Sequence, residues 1–388
     1  MRQLKRTWAE IDLDALAQNF FTIRNIVGNG VDIMAIVKAD AYGHGAKQVA
    51  YVLDKCGADW FGVSNINEAK FLRKIGIVKP ILILGYTPEE NVRELFDLDL
   101  TQTVFGLEYA RNLANAAAQM NVRVNVHIKL DTGMSRIGFS SRDIARAVNE
   151  ISEVCTYSVF KVTGMFTHFA VADEGDTKSR MYTVEQHNRF AAISDELENR
   201  GFTFFHKHCC NSAGTLFYPE FHHDMVRPGL ILYGNSPTGN PLANMPFRPV
   251  MTLKSVVSLV KEVKQGEAIS YGCTYVAPHD MLVATVPMGY ADGYPRGLSN
   301  KGLGFVGGKI APIVGRICMD QLMLDVTGSN VREGDVVTFF GGGSPISLDN
   351  VAGLAGTVSY ELMCSMSRRV QRVYIQNNRI FDVVDYSM

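Results

Sequence analysis

Between about residue 31 and residue 234, short runs of β-branched and other apolar residues alternate with longer stretches whose apolar positions recur at helical spacing. The runs VDIMAIV (31–37), WFGVS (60–64), ILILG (81–85), TQTVF (101–105), VRVNVHIKL (122–130), FKVTGMFTH (160–168) and FFHKHC (204–209), with the two short runs flanking Arg227 to Gly229, make eight candidate strands. Helical segments are expected between them, starting at Glu68, Glu108, Ser141 and Ser179. Such alternation predicts α/β architecture with a parallel sheet, and eight units in this length match a (β/α)8 TIM barrel. A doubly wound sheet is the alternative, although eight units are many for it.

The stretch Asn235 to Pro249 holds four of the chain's thirteen prolines and opposes both helix and strand, which places a domain boundary there. The expected division is a barrel over 1–240 and a mostly β domain over 241–388, where runs such as MLVATVPMGY, DVVTFF and RRVQRVYIQ are separated by glycine-rich connections. GGGSP at 341–345 lacks the Lys-Ser/Thr pair of a phosphate loop and reads as a tight turn.

A length of 388 residues agrees with two domains, one of them large. Lys and Arg total 38 against 39 Asp and Glu, a net charge of −1, and no basic stretch interleaved with aromatics suggests a nucleic-acid partner. The 47% hydrophobic and 20% charged composition is that of a globular chain with a large core. No apolar run reaches the roughly 18 residues of a membrane helix, and charges follow the basic start MRQLKRTWAEIDLD where a signal peptide would turn apolar, so a cytoplasmic location is expected. The seven cysteines are scattered without a C-x-x-C pair, which reads as buried thiols.

Barrel enzymes carry their chemistry at the carboxyl ends of the strands. Here Lys38 follows the first run, Lys129 and Asp131 end the fifth, His168 the sixth, and Asn211 and Ser212 the seventh, while Arg227 and Gly229 sit at the eighth. A lysine at the end of a buried strand loses hydration, which favours the neutral amine that attacks carbonyls. On spacing alone, a Lys38 that reaches solvent or pairs with Asp40 fits equally well. His206 and His208 share a strand face, and His222 and His223 follow, but no acidic or thiolate ligand is spaced to complete a metal site, so no metal is expected.

The ordered strings AIVKADAYGHG, HIKLDTGMSRIGF, FTHFAVADE, CCNSAG, MVRPGLILYG, ISYGCTY, GYADGYPR, GRICMDQLMLDV and VSYELMC resemble the alanine racemase family over nearly the whole chain, from WAEIDLDAL to SRRVQRVY. The resemblance implies a pyridoxal 5'-phosphate enzyme with a barrel and a β domain, which interconverts L-alanine and D-alanine for peptidoglycan as a head-to-tail homodimer. It implies that Lys38 holds the cofactor covalently and acts as one base, and that Tyr271, supplied by the other subunit, is the second. It places Tyr42, Asn211, Ser212, Gly229, Leu230 and Tyr360 around the cofactor, the phosphate above all, and Arg227 at its ring nitrogen with His208 orienting that arginine. Arginine does not give up its proton, so the ring is a weaker electron sink than beside a carboxylate, which suppresses transamination.

The same resemblance makes His168 the hydrogen-bond partner of Tyr271, assigns Arg136 to the cofactor's phenolic oxygen and the substrate carboxylate, and gives Met319, beside Asp320, a backbone N–H to that carboxylate. Lys129 matches a lysine that is carbamylated in many members, where the added charge pins Arg136. Asp173, Tyr290, Arg296 and Arg316 match the substrate corridor; surface or interface ion pairs are the alternative for them. Three rivals follow. One is a serine-preferring or broad-specificity racemase. Another is a basic amino acid decarboxylase, disfavoured by Arg227 in place of an acid. The last is a non-catalytic cofactor-binding barrel, which leaves the second domain unexplained.

Overall fold

The computed structural model describes residues 6–238 and 245–386. The expected boundary at 240/241 therefore lies outside the described residues. The chain forms two compact units, one of Phe20–Ala41 and Val49–Leu232, the other of Met1–Asn19, Tyr42–Gln48 and Tyr233–Met388.

The first unit is the barrel. Its strands are β1 (Asp32–Ile36), β2 (Trp60–Val63), β3 (Ile81–Ile83), β4 (Leu100–Val104), β5 (Val124–Asp131), β6 (Phe160–Phe166), β7 (His206–His208) and β8 (Met225–Val226). Each pairs in parallel with the next as far as β7, and β8 pairs with β1 through Met225 opposite Asp32. The seam between β7 and β8 is thinner. The Asp224 amide donates to the Lys207 carbonyl at 3.1 Å, the Lys207 amide donates to the Asp224 carboxylate at 2.8 Å, and the Arg227 amide reaches the Cys210 carbonyl at 2.9 Å. The doubly buried runs such as Ile33–Val37 and Ile81–Ile83 explain why periodicity alone reveals these strands.

The helices begin where side chains cap them. Asp143 accepts the Arg146 amide, so the helix expected from Ser141 starts at Ile144 and buries Ala147, Val148, Ile151 and Val154 along one stripe. Asp176 likewise caps Thr177–Asn199 through the Ser179 amide.

The second unit is mostly β. A seven-stranded sheet runs in the order Lys309–Pro312, Leu303–Val306, Val336–Phe340, Met251–Val256, Thr7–Asp12, Gln371–Gln376 and Arg379–Val384. Thr7–Asp12, which the hydrophobic pattern had not marked, lies antiparallel to Met251–Val256 and parallel to Gln371–Gln376. Leu259–Val263, Met281–Val286 and Leu322–Asp325 form a second sheet, and the short pair Ala268–Ile269 with Tyr275–Val276 presents the turn that carries Tyr271. Val263, Ile269, Ala277, Met281, Val283 and Val314 form the cluster beneath that turn.

Candidate active site

Immediately after Lys38, four consecutive non-glycine residues, Ala39, Asp40, Ala41 and Tyr42, have φ between 52° and 54°. That is a left-handed helical turn, in which Cβ crowds the following carbonyl. Two of the contacts that hold it lie within the barrel unit. The Ala41 amide donates to the Val37 carbonyl at 2.9 Å. Glu68 accepts the Ala39 amide at 2.8 Å with one carboxylate oxygen and the Ser64 amide at 2.7 Å with the other. One carboxylate thus ties the residue after Lys38 to the end of β2. The hydrophobic pattern gave Glu68 no such part, because the bond joins a helix to backbone 29 residues away in sequence and leaves no local signature.

Arg227 is buried in the same unit, and five hydrogen bonds hold its guanidinium. Its Nη1 donates to His208 Nδ1 and to the His208 carbonyl, both at 2.9 Å; its Nη2 donates to the Thr167 carbonyl at 2.7 Å, the Cys209 carbonyl at 3.0 Å and His168 Nδ1 at 3.3 Å. None of these five bonds uses Nε. Burial lowers the guanidinium to about 10, so it stays cationic at neutral pH. His208 is held well below the usual imidazole range by burial and then by Arg227, and His168 by burial and then by Arg227, Lys129, Arg136 and Lys38. Both imidazoles are therefore neutral acceptors toward Arg227, and the cations acting on His168 include the barrel residues expected to share one site.

Lys129, at the end of β5, is 4% exposed and donates to the Leu130 carbonyl at 2.6 Å. Burial, with repulsion from Arg227 and Arg136, brings its amine down to about 7. Arg136 itself is exposed. Asn211 caps the short helix Ser212–Phe217 by accepting the Gly214 amide, and the Ser212 hydroxyl accepts the Gly229 amide at 3.0 Å and the Ile231 amide at 3.5 Å. Ser212, Gly229 and buried Leu230 therefore adjoin one another. Asp173 is half-buried beyond His168.

The second unit gathers its own set. The Tyr42 hydroxyl is pushed up by burial and by the neighbouring Cys364 and Tyr360, which keeps it a neutral donor. Its position depends on Gly43, packed so closely on the Met363 carbonyl that a Cβ would overlap it, while Arg372 donates to the Gly43 carbonyl at 2.9 Å. Elsewhere in the unit Tyr271 is 71% exposed. Ser270 donates to the Arg316 carbonyl at 2.6 Å, and a Cβ on Gly272 would lie 2.8 Å from the Arg316 guanidinium, so Arg316 sits beside the Tyr271 turn. The Tyr290 and Ala291 amides donate to the carbonyls of Cys318 and Met319 at 3.1 and 3.0 Å, which ties Tyr290 to the segment of exposed Met319. A groove of about 940 Å³ lies alongside, with Ser270, Tyr271, Cys318 and Gln321 in its wall. Asp320 pairs with Arg369 at 2.7 Å, and exposed Arg296 opens the turn Arg296–Leu298. Arg369, like Thr167 and Glu68, is a supporting residue that the motifs did not single out. Among the described residues no cluster of three or more His, Cys, Asp or Glu could hold a metal ion, and no helix is long and apolar enough to cross a membrane.

A barrel with a lysine just past β1, a buried arginine after β8 and a mostly β second unit has the architecture and strand-end chemistry of the barrel-type pyridoxal-phosphate enzymes. Residues 11–237 match the family model "Alanine racemase, N-terminal domain" and residues 250–374 match "Alanine racemase, C-terminal domain". The alanine racemase of Desulforamulus reducens is 44% identical over 370 residues, 95% of this chain and 98% of that protein. The alanine racemase of Clostridium perfringens is 41% identical over 387 residues, 99% of each. Among solved structures, alanine racemase from Clostridium difficile 630 superposes with a TM-score of 0.94 at 38% identity over 100% of both chains. That from Bacillus anthracis with bound L-Ala-P gives 0.92 at 34% identity, over 100% of this chain and 99% of the other. The chain belongs to the alanine racemase family, which depends on pyridoxal 5'-phosphate.

Proposed function

We propose that this protein interconverts L-alanine and D-alanine with pyridoxal 5'-phosphate in the cytoplasm, supplying D-alanine for peptidoglycan, and that Lys38 and Tyr271 of the partner subunit are its two bases. The expected division into a barrel over 1–240 and a β domain over 241–388 belongs to the same proposal with one amendment, that Thr7–Asp12 joins the sheet of the β unit, which completes the partner's site. The observation that carries it is Arg227, a cation at neutral pH whose two terminal nitrogens make five hydrogen bonds within the barrel, none of them through Nε, and we assign that Nε–H to the cofactor's ring nitrogen.

The residues fit the cofactor in chemical kind. In the barrel unit the Ser212 hydroxyl, which already accepts the Gly229 amide, and the loop amide at Leu230, and in the second unit the Tyr42 and Tyr360 hydroxyls, are donors of the kind that a phosphate requires. Asn211 supports this group by fixing the helix that starts at Ser212. When bound, pyridoxal phosphate supplies the electron sink that acidifies the Cα–H of the substrate. Arg227 limits that sink by presenting a donor that does not release its proton, so proton return to Cα is favoured over return elsewhere. Tyr271 Oη then takes the proton from L-alanine on one face while Lys38 Nζ delivers one to the other, and the reverse direction exchanges their roles. Arg136 and the Met319 amide orient the substrate carboxylate, and His168 sets the polarity around Tyr271. Asp173, Tyr290, Arg296 and Arg316 line the approach, with Asp320 supporting it. Lys129, poised near 7, offers a substantial neutral fraction for reaction with carbon dioxide, and the resulting carbamate would hold Arg136.

L-Alanine incubated with the purified protein and cofactor should lose its circular dichroism without loss of amino acid. Retained dichroism in a cofactor-loaded protein overturns the assignment. Borohydride reduction followed by peptide mapping should label the peptide carrying Lys38, and a label on Lys129 would refute the role given to Lys38.

A further inference from the structure

Behind Arg227 the barrel interior holds three imidazoles in succession. His208 Nε2 lies 3.1 Å from His127 Nδ1, and the His127 ring stacks against that of His206 at 5.9 Å with Trp60 at its side, 5.2 Å away. His127 is fully buried on β5, and nothing in the proposed reaction uses it.

We infer that His127 is a positioning residue for Arg227, acting through His208 as the last acceptor of a one-way hydrogen-bond chain. The direction follows from the donor inventory. A guanidinium has only N–H groups, so His208 Nδ1 must accept from it. A neutral imidazole that accepts at Nδ1 carries its proton at Nε2, and that proton is directed at His127 Nδ1. His127 must then accept at Nδ1 and carry its own proton at Nε2. That Nε2 is buried and makes no hydrogen bond among the described residues. A buried N–H without a partner is a cost that a leucine or phenylalanine filler would avoid, so packing alone does not account for a histidine here.

The surroundings are shaped to the ring. Gly164 faces it from β6, where a Cβ would stand 2.6 Å from both Cε1 and Nε2 of His127, and the β5–β6 register shifts between Val126 and His127. On the other side His208 is stacked on Phe166 at 4.8 Å and 4°. Neither ring can swing to exchange its nitrogens without displacing these neighbours. Burial, with His206 and Arg227 nearby, holds His127 neutral, which keeps its Nδ1 lone pair available. The chain therefore fixes His208 in the tautomer that holds Nη1 of Arg227.

This inference rests on the proposed place of Arg227 at the ring nitrogen, but its first test does not. In the cofactor-loaded enzyme labelled with ¹⁵N-histidine, His208 and His127 should both be protonated at Nε2 with unprotonated Nδ1, the His208 N–H shifted by hydrogen bonding and the His127 N–H not. A proton at His127 Nδ1 overturns the chain outright, whether or not the protein racemises alanine. The second test compares His127→Leu with His127→Asn, whose Oδ1 stands where Nδ1 stood. His127→Leu should raise the ratio of transamination to racemisation of L-alanine by about tenfold, the scale of one lost buried hydrogen bond, and perturb the His208 nitrogens. His127→Asn should restore both. Equal ratios in the two variants, with both folded, mean that His127 only fills space. Correct tautomers in a protein that leaves alanine unchanged would sink the proposed function and leave the relay standing.

Discussion

Replacing Glu68 with alanine removes the carboxylate that ties the left-handed turn after Lys38 to the end of β2. A left-handed conformation costs roughly 1–2 kcal/mol per L-residue, so the four positions from Ala39 to Tyr42 hold about 4–8 kcal/mol of conformational cost that contacts must offset. Glu68 contributes two charge-assisted bonds, at 2.8 and 2.7 Å. Such bonds contribute about 1.5–3 kcal/mol each when buried, and their exposure here reduces the pair to about 1–2 kcal/mol in total. Glu68→Ala should therefore lower the unfolding free energy in urea by about 1–2 kcal/mol and, by loosening the backbone that aims Lys38, lower kcat by about tenfold or more with a smaller change in KM. Glu68→Gln, which retains one good acceptor, should fall between. Wild-type kcat together with a stability loss under about 0.3 kcal/mol would show that the turn is held by other contacts and that the reasoning from strain is wrong.

Arg227→Glu should allow the ring nitrogen to be protonated, with a new long-wavelength absorbance, slower racemisation and more transamination; an unchanged spectrum and side reaction would remove Arg227 from the ring nitrogen. Inactive Lys38→Ala and inactive Tyr271→Phe, mixed under conditions that exchange subunits, should recover about a quarter of wild-type activity if a closed twofold dimer shares its sites, and none if one chain supplies both bases. Lys129 has a folded value near 7, below its unfolded one, so the unfolded state binds more protons between the two. Stability should thus rise with pH above about 7 by up to 1.4 kcal/mol per unit until the unfolded lysine also titrates, and Lys129→Met should flatten that rise in urea titrations made without carbon dioxide.

The barrel was legible because its strands are buried on both faces and announce themselves as apolar runs, and the turn at GGGSP because glycine and proline punctuate it. Chemistry at strand ends was legible only as a collection of polar residues; roles came with the family motifs. Other features left no trace that periodicity detects. Thr7–Asp12 is a short strand whose partners lie at Met251–Val256 and Gln371–Gln376, and no local pattern marks pairings so distant. The left-handed turn contains no glycine among Ala39, Asp40, Ala41 and Tyr42, so propensity favours a right-handed helix there and tertiary contacts decide otherwise. His206 and His208 were correctly placed on one strand face, but only the fold reveals that His127, from another strand, completes their group.

The place of Thr7–Asp12 also dictates a timetable. This strand is made before both of its partners in the seven-stranded sheet, hydrogen-bonded on one edge to Met251–Val256 and on the other to Gln371–Gln376. At roughly 5–20 residues per second, its second neighbour emerges some 20–70 seconds later. The eight barrel strands, by contrast, are all made between Asp32 and Val226 and pair mostly with the one just before. The barrel can mature while translation continues, whereas Trp8 on one face of the strand and Ala9 and Ile11 on the other must wait until Gln371–Gln376 has been made. A nascent chain arrested before residue 371 would carry an ordered barrel and an adhesive first strand, the natural client of a chaperone that waits at the tunnel exit.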